Sequence, residues 1–169
     1  MSLYIISLMC VLFGFAIDQY TKYLAVTHLM EKPIPIVDGV FELHYLENRG
    51  AAFGMLQNKQ WFFLIITVVL LVFIAKLYIE LPRTKRVIPL RIAMIFITAG
   101  ALGNMVDRIR LNYVSDFLYF KLIDFPIFNV ADIFVVVGTI GLFLLFLFFF
   151  KPIHNVVYML SVNIVCHLI

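Results

Sequence analysis

Charge is scarce in this chain. Its 169 residues include 13 Lys and Arg and 10 Asp and Glu, together 14%, against 64% hydrophobic residues and a mean hydropathy of +1.05. Soluble domains carry about 25% charged residues, so a water-soluble globule is excluded and a membrane protein is implied. Cysteine is nearly missing too. Cys10 lies in the first apolar run and Cys166 near the far end, which gives neither a disulfide framework nor a thiolate metal site. The four histidines, His28, His44, His154 and His167, lack the helical pairing of zinc peptidases, and no serine stands in a Gly-x-Ser-x-Gly setting. Metal-assisted and nucleophilic hydrolysis thus find little support. The net charge of +3 is ordinary for basic inner loops and does not suggest nucleic acid.

What is present is four runs almost free of charge: Met1 to Ile17, Trp61 to Ala75, Ile92 to Val106 and Ile133 to Phe150. A helix crosses the hydrocarbon core with roughly 17 to 25 residues, and Lys76 and Arg91 can snorkel to lengthen the shorter runs. The expectation is four transmembrane helices near residues 3–28, 60–80, 87–108 and 130–151. No basic residue precedes the first run and no small-residue cleavage site follows it, so it reads as a retained anchor. The second connection holds Lys76, Arg83, Lys85, Arg86 and Arg91 against the single acid Glu80. The positive-inside rule places it in the cytoplasm with both termini, and puts residues 18–60 and 107–131 outside.

Residues 33–54, "PIPIVDGVFELHYLENRGAAFG", alternate apolar and polar side chains around Asp38-Gly39, the signature of a hairpin. A ribbon with open edges cannot cross lipid, so it belongs on the outer surface. The fold class is therefore mainly α: a polytopic four-transmembrane-helix bundle with a small extracytoplasmic β-region at about 33–55, in one domain over residues 1–152. Residues 153–169 carry no formal charge, but Asn155, Asn163 and two histidines interrupt them, and an interfacial or loosely ordered tail is expected.

The polar residues are few enough to follow individually. Asp18 and Lys22 are four apart on one helical face; alone, the pair reads as an exposed interfacial ion pair. In "TAGALGNMVDRIR", Gly100, Asn104 and Arg108 form a stripe, with Gly103 and Asp107 beside it. The small residues permit close helix approach in lipid. Asp116 and Asp124 fall in an outer connection, and Asn129 and Asp132 sit three apart where the fourth helix begins. Read separately, Asp132 is a helix cap and Asp116 a loop acid paired with Arg108. Together, Asp18, Asn48, Asn104, Arg108, Asp116, Asn129 and Asp132 all map to the outer ends of helices or outer connections. An ionisable group costs roughly 2.5–3.5 kcal/mol at the bilayer centre, and in a membrane segment it is a functional hypothesis by default.

Two carboxylates held close share a proton and titrate as a unit. One can act as base toward water while the other donates to a carbonyl oxygen, the chemistry of aspartic peptidases. The rivals are a small proton-coupled transporter, whose acids would be spread through the membrane depth, and a scaffold whose acids merely pair with Arg49, Arg108 and Arg110.

The ordered set "DQYTK" (18–22), "ENRGAAFG" (47–54), "GALGNMVDR" (100–108), "VSDF" (114–117) and "FPIFNVAD" (125–132) resembles the bacterial lipoprotein signal peptidases, type II. The resemblance implies a multi-pass aspartic endopeptidase of the bacterial cytoplasmic (inner) membrane. It implies removal of signal peptides from diacylglyceryl-modified prolipoproteins by a cut just before the lipidated cysteine. The dyad would be Asp116 and Asp132, near the extracytoplasmic face, with no metal and no cofactor. Asp18, Lys22, Asn48, Gly50, Gly100, Asn104, Arg108, Asn129 and Ala131 match motif positions that would hold substrate, dyad or helix contacts. Asp107, beside Arg108 on the helix, is expected as a salt-bridge or interface residue, and Asp124 in a loop. Membrane lipids and the cyclic peptide inhibitor globomycin are the further partners implied, and the chain is expected to be monomeric.

Overall fold

The computed structural model describes residues 2–50 and 59–148. The motif residues after Gly50, up to Gly54, and the tail at 153–169 lie outside them. Four helices, α1 (Ser2–Leu29), α2 (Gln60–Glu80), α3 (Ile88–Leu111) and α4 (Val130–Phe148), are long and apolar enough to cross a membrane. Helix α3 is the axis of the bundle. It buries side chains along its whole length, from Leu90 to Asp107, whereas α1, α2 and α4 expose large hydrophobic residues such as Phe13, Val72 and Phe143. Lipid tails are as apolar as those side chains, so close packing decides helix association. Gly100 and Gly138 supply it between α3 and α4: a Cβ at Gly100 would overlap the Ala131 carbonyl, and one at Gly138 would strike Ile97 and the Ala93 carbonyl.

On one end of the bundle sits an antiparallel sheet of β1 (Ile34–Val37), β2 (Phe41–Asn48) and β3 (Val114–Tyr119), in that order. The expected hairpin is present. Its turn closes with Val40 N–H donating to Val37 O at 3.0 Å, and Gly39 takes φ +70°, which a side chain disfavours. The third strand is an addition to the expectation, which read residues 107–131 as a connection. Val114, Ser115, Asp116 and Phe117 are all buried, so β3 has none of the alternation that betrays a half-exposed strand. One edge pairs with β2, placing Asp116 opposite Leu46. The other exchanges hydrogen bonds between Leu118 and Phe128, in the segment leading into α4. Phe117 packs with Ala25 and Leu29 of α1 and with Val130, clamping the sheet to the helix ends.

Candidate active site

Helix α4 begins with a reciprocal cap. Asp132 N–H donates to Asn129 Oδ1 at 3.0 Å, and Asn129 N–H donates to Asp132 Oδ2 at 3.1 Å. This is a capping box with Asp in place of Glu. It fixes the Asp132 carboxylate and leaves the Asn129 amide nitrogen pointing elsewhere: it donates to Asp116 Oδ1 at 2.5 Å. One asparagine therefore ties together two acids from a strand and a helix. Asn129 and Asp116 are buried, with 0% and 1% of their surface exposed.

Each acid has a further amide donor. Asn104 Nδ2, from α3, reaches Asp132 Oδ1 at 2.8 Å, and Asn48 Nδ2, at the end of β2, reaches Asp116 Oδ2 at 2.8 Å. Both amides are oriented from their oxygen ends. Gly50 N–H donates to Asn48 Oδ1 at 3.0 Å, and Lys22 Nζ and Asn129 Nδ2 donate to Asn104 Oδ1 at 2.9 and 3.2 Å. Burial, first, and the neighbouring charge of Asp132, second, push the Asp116 carboxyl up to about 7; the hydrogen bonds from Asn48 and Asn129 and the Lys22 charge pull the other way. A carboxyl that holds its proton near neutrality beside another acid is the arrangement two-carboxylate hydrolysis requires.

Behind the acids lies a buried ionic cluster. Lys22 Nζ contacts Asp18 Oδ2 at 2.9 Å and Asp107 Oδ2 at 3.0 Å, and at most 5% of any of the three side chains is exposed. The exposed interfacial pair suggested by Asp18 and Lys22 alone is thus corrected, because α3 covers it: Gly103 approaches so closely that a Cβ there would overlap Asp18 Oδ2. The cluster also grips backbone. Asp18 Oδ1 accepts from Ala131 N–H at 2.9 Å, next to Asp132, and Asp107 Oδ2 accepts from Ser115 N–H at 3.2 Å, next to Asp116.

Arg108 donates to the Asn104 carbonyl at 3.4 Å rather than to Asp116, which corrects the reading of Asp116 as its loop partner. Its guanidinium lies 4.8 Å over the Phe63 ring, and its Nε is buried without a partner among the described residues. Asp124 ends a short turn, accepting from the Tyr119 hydroxyl at 2.6 Å, away from the cluster. Sequence reasoning missed Gln19, whose amide donates to Asp107 Oδ1 at 3.0 Å and Asp18 Oδ2 at 3.2 Å. Its signal was its place between Asp18 and Lys22, in the polar run that ends the apolar stretch of α1.

Comparison with known proteins converges on one family. The family model described as "Signal peptidase (SPase) II" matches residues 10–149. A lipoprotein signal peptidase of Clostridioides difficile (strain 630) is 46% identical over 134 residues, covering 79% of this chain and 88% of that protein. One from Caldanaerobacter subterraneus subsp. tengcongensis is 48% identical over 146 residues, covering 84% and 96%. A solved structure described as a bacterial membrane enzyme, determined by the in meso method at 1.9 Å resolution, superposes with a TM-score of 0.75 at 31% identity over 85% of this chain and 94% of that one. The transporter alternative finds no support among these relatives. With four membrane-spanning helices, a two-carboxylate site and these matches, the chain belongs to the signal peptidase II family.

Proposed function

We propose that Asp116 and Asp132 are the catalytic dyad of a lipoprotein signal peptidase: the chain removes signal peptides from prolipoproteins, and these two carboxylates activate the water that does it. The observation that carries the reading is Asn129, which bonds Asp116 through its side chain and Asp132 through its backbone. Each Asp132 oxygen accepts one N–H and keeps a second lone pair, so Asp132 is the base that takes the water proton. Asp116, raised to about 7, is the acid that donates to the scissile carbonyl oxygen as the tetrahedral intermediate forms. As the C–N bond breaks, the proton taken up by Asp132 passes to the departing amine, and Asp116 recovers its proton from a hydroxyl of the collapsing intermediate. Arg108, with an unused buried Nε, holds a substrate carbonyl.

The substrate in this reading is a diacylglyceryl-modified prolipoprotein, cut just before the lipidated cysteine. Its acyl chains stay in the bilayer, which delivers the peptide bond to the interface without a diffusional search. The membrane is the bacterial cytoplasmic membrane, with the basic connection at 76–91 and both termini inside and the dyad toward the outer face. Globomycin, a cyclic peptide, would occupy the same space as the substrate, and a monomer over residues 1–152 suffices for all of these roles. The test is cleavage of a diacylglyceryl-modified prolipoprotein by purified Asp116→Asn and Asp132→Asn variants, with and without chelator. Loss of a general acid or base removes about 10²–10⁴ of rate, so both are expected to be inactive while inserting normally. Substantial turnover by either variant refutes the dyad, and loss of wild-type activity on chelation refutes metal-free chemistry.

A further inference from the structure

At the end of the bundle opposite the acids, α1 and α2 each pack against α3 and touch one another through Tyr4, Ser7 and Tyr78. Between them a cleft of about 370 Å³ opens, floored by Met94, Thr98 and Leu102 of α3. Three of its four hydroxyls, those of Ser7, Tyr78 and Thr98, are already paired. Ser7 Oγ donates to Leu3 O at 2.9 Å and pairs with the Tyr78 hydroxyl, and Thr98 donates to Met94 O at 2.8 Å. The walls therefore ask for a hydrocarbon. From Met94 to Leu102 the floor runs about 12 Å along α3, and a slot of this length with apolar walls suits a single acyl chain.

The mouth of the cleft is basic. The Arg83 guanidinium stacks 5.2 Å over the ring of Tyr4, which lines the cleft, and remains exposed; Lys85 and Arg86 follow it in sequence on a short turn and are exposed too. Arg91, by contrast, is buried, donating to the Tyr78 and Leu81 carbonyls at 3.2 and 2.8 Å. Glu80 is the single acid between residues 76 and 91. An apolar slot between membrane helices beneath a cluster of cations is the arrangement that selects a negatively charged lipid headgroup. We propose that this cleft is a binding site for one anionic phospholipid, one acyl chain in the slot and the phosphate at Arg83, in the basic stretch that runs on to Lys85. In the orientation proposed above the lipid belongs to the inner leaflet; the site does not depend on the catalytic reading.

The test is native mass spectrometry of the full chain in detergent micelles, titrated with phosphatidylglycerol or with phosphatidylcholine of the same acyl chains. One retained phosphatidylglycerol is expected, held at least about fivefold more tightly than phosphatidylcholine, the ratio a single surface cation contributes. Arg83→Gln is expected to erase most of that preference, and Ala75→Trp, which fills the cleft from the exposed face of α2, to abolish retention of the tightly held lipid. Circular dichroism melting verifies that both variants are folded. Equal retention of the two lipids by the wild type overturns the proposal. So does a preference that survives both substitutions, which assigns it to the basic surface at large. Displacement of the lipid by excess inorganic phosphate, or a dimer in place of the lipid adduct, overturns it as well.

Discussion

Replacing Asp116 with Asn is expected to stabilise the protein at alkaline pH and destabilise it at acid pH, so that the two stability curves cross. The Asp116 carboxyl is raised from 3.8 to about 7 in the folded protein. Between those values the native state holds a proton that the unfolded chain has released, so stability falls as pH rises from about 4 to about 7 and is level above. Three pKa units at 1.36 kcal/mol each give a swing of about 4 kcal/mol. Asparagine does not ionise and escapes that loss. It brings a fixed penalty of its own. Asn48 and Asn129 each aim an amide N–H at this side chain, one at Oδ2 and one at Oδ1. An amide offers only one acceptor oxygen, so one donor meets another donor at about 1–3 kcal/mol, whatever the pH. The variant is then less stable than wild type by about that amount near pH 4. It is more stable by a similar amount near pH 8, once the ~4 kcal/mol swing has been added. Chemical denaturation followed by circular dichroism in detergent, from pH 4 to pH 8.5, reads the difference directly, with the exposed-acid variant Asp124→Asn as control. A gap between Asp116→Asn and wild type that stays constant across this range refutes the reasoning, because the carboxyl would then titrate alike in the folded and unfolded chains.

Two other substitutions probe the supports of the proposed dyad. Lys22→Met strips the buried cation from Asp18 and Asp107, and breaking a buried ion pair in this way costs about 3–5 kcal/mol; adding Asp107→Asn, which removes one stranded charge, is expected to recover part of the loss in denaturant melts. Gly100→Ala drives a methyl into the Ala131 carbonyl and the Val135 side chain, an overpacking worth about 1–3 kcal/mol. Because Ala131 adjoins Asp132, turnover of a prolipoprotein substrate is expected to fall together with the melting temperature; a loss of stability at full turnover would show that α4 can shift without disturbing the proposed dyad.

The helices were legible because charge-free length is a direct physical requirement of the bilayer, and the hairpin was legible because half its residues alternate. Other features depend on which distant segment covers a residue. Spacing places Asp18 and Lys22 on one face of α1, but the cover that buries them is Gly103 and Asp107, more than 80 positions away. Adjacency in sequence invites a pairing of Asp107 with Arg108, yet neighbours on a helix diverge by about 100°. Asp107 turns instead to Lys22, Gln19 and the β3 backbone. Strand β3 was hidden for a related reason. Buried on both faces, it shows no period, and its last partner, Phe128, precedes α4 by only two residues and reads as loop.

The positions of the two acids are set largely by residues that lie behind them. Ala131 N–H is held by Asp18 and Ser115 N–H by Asp107, and both of those carboxylates converge on the single ammonium of Lys22. The start of α4 and the start of β3 are thereby anchored to α1 and α3, two of the longest elements in the fold. Of the chain joining β3 to α4, the exposed residues Lys121 to Asp124 hold neither acid, and the residue that does, Asn129, is buried and fixed as the cap of α4. Catalytic geometry built on helices and strands is more exact than geometry carried by a loop. A buried lysine between two aspartates is a weak source of stability in itself. Its value here is register: it couples the strand that carries Asp116 to the helix that carries Asp132, and through Asn104 Oδ1 it also fixes which end of that amide faces Asp132.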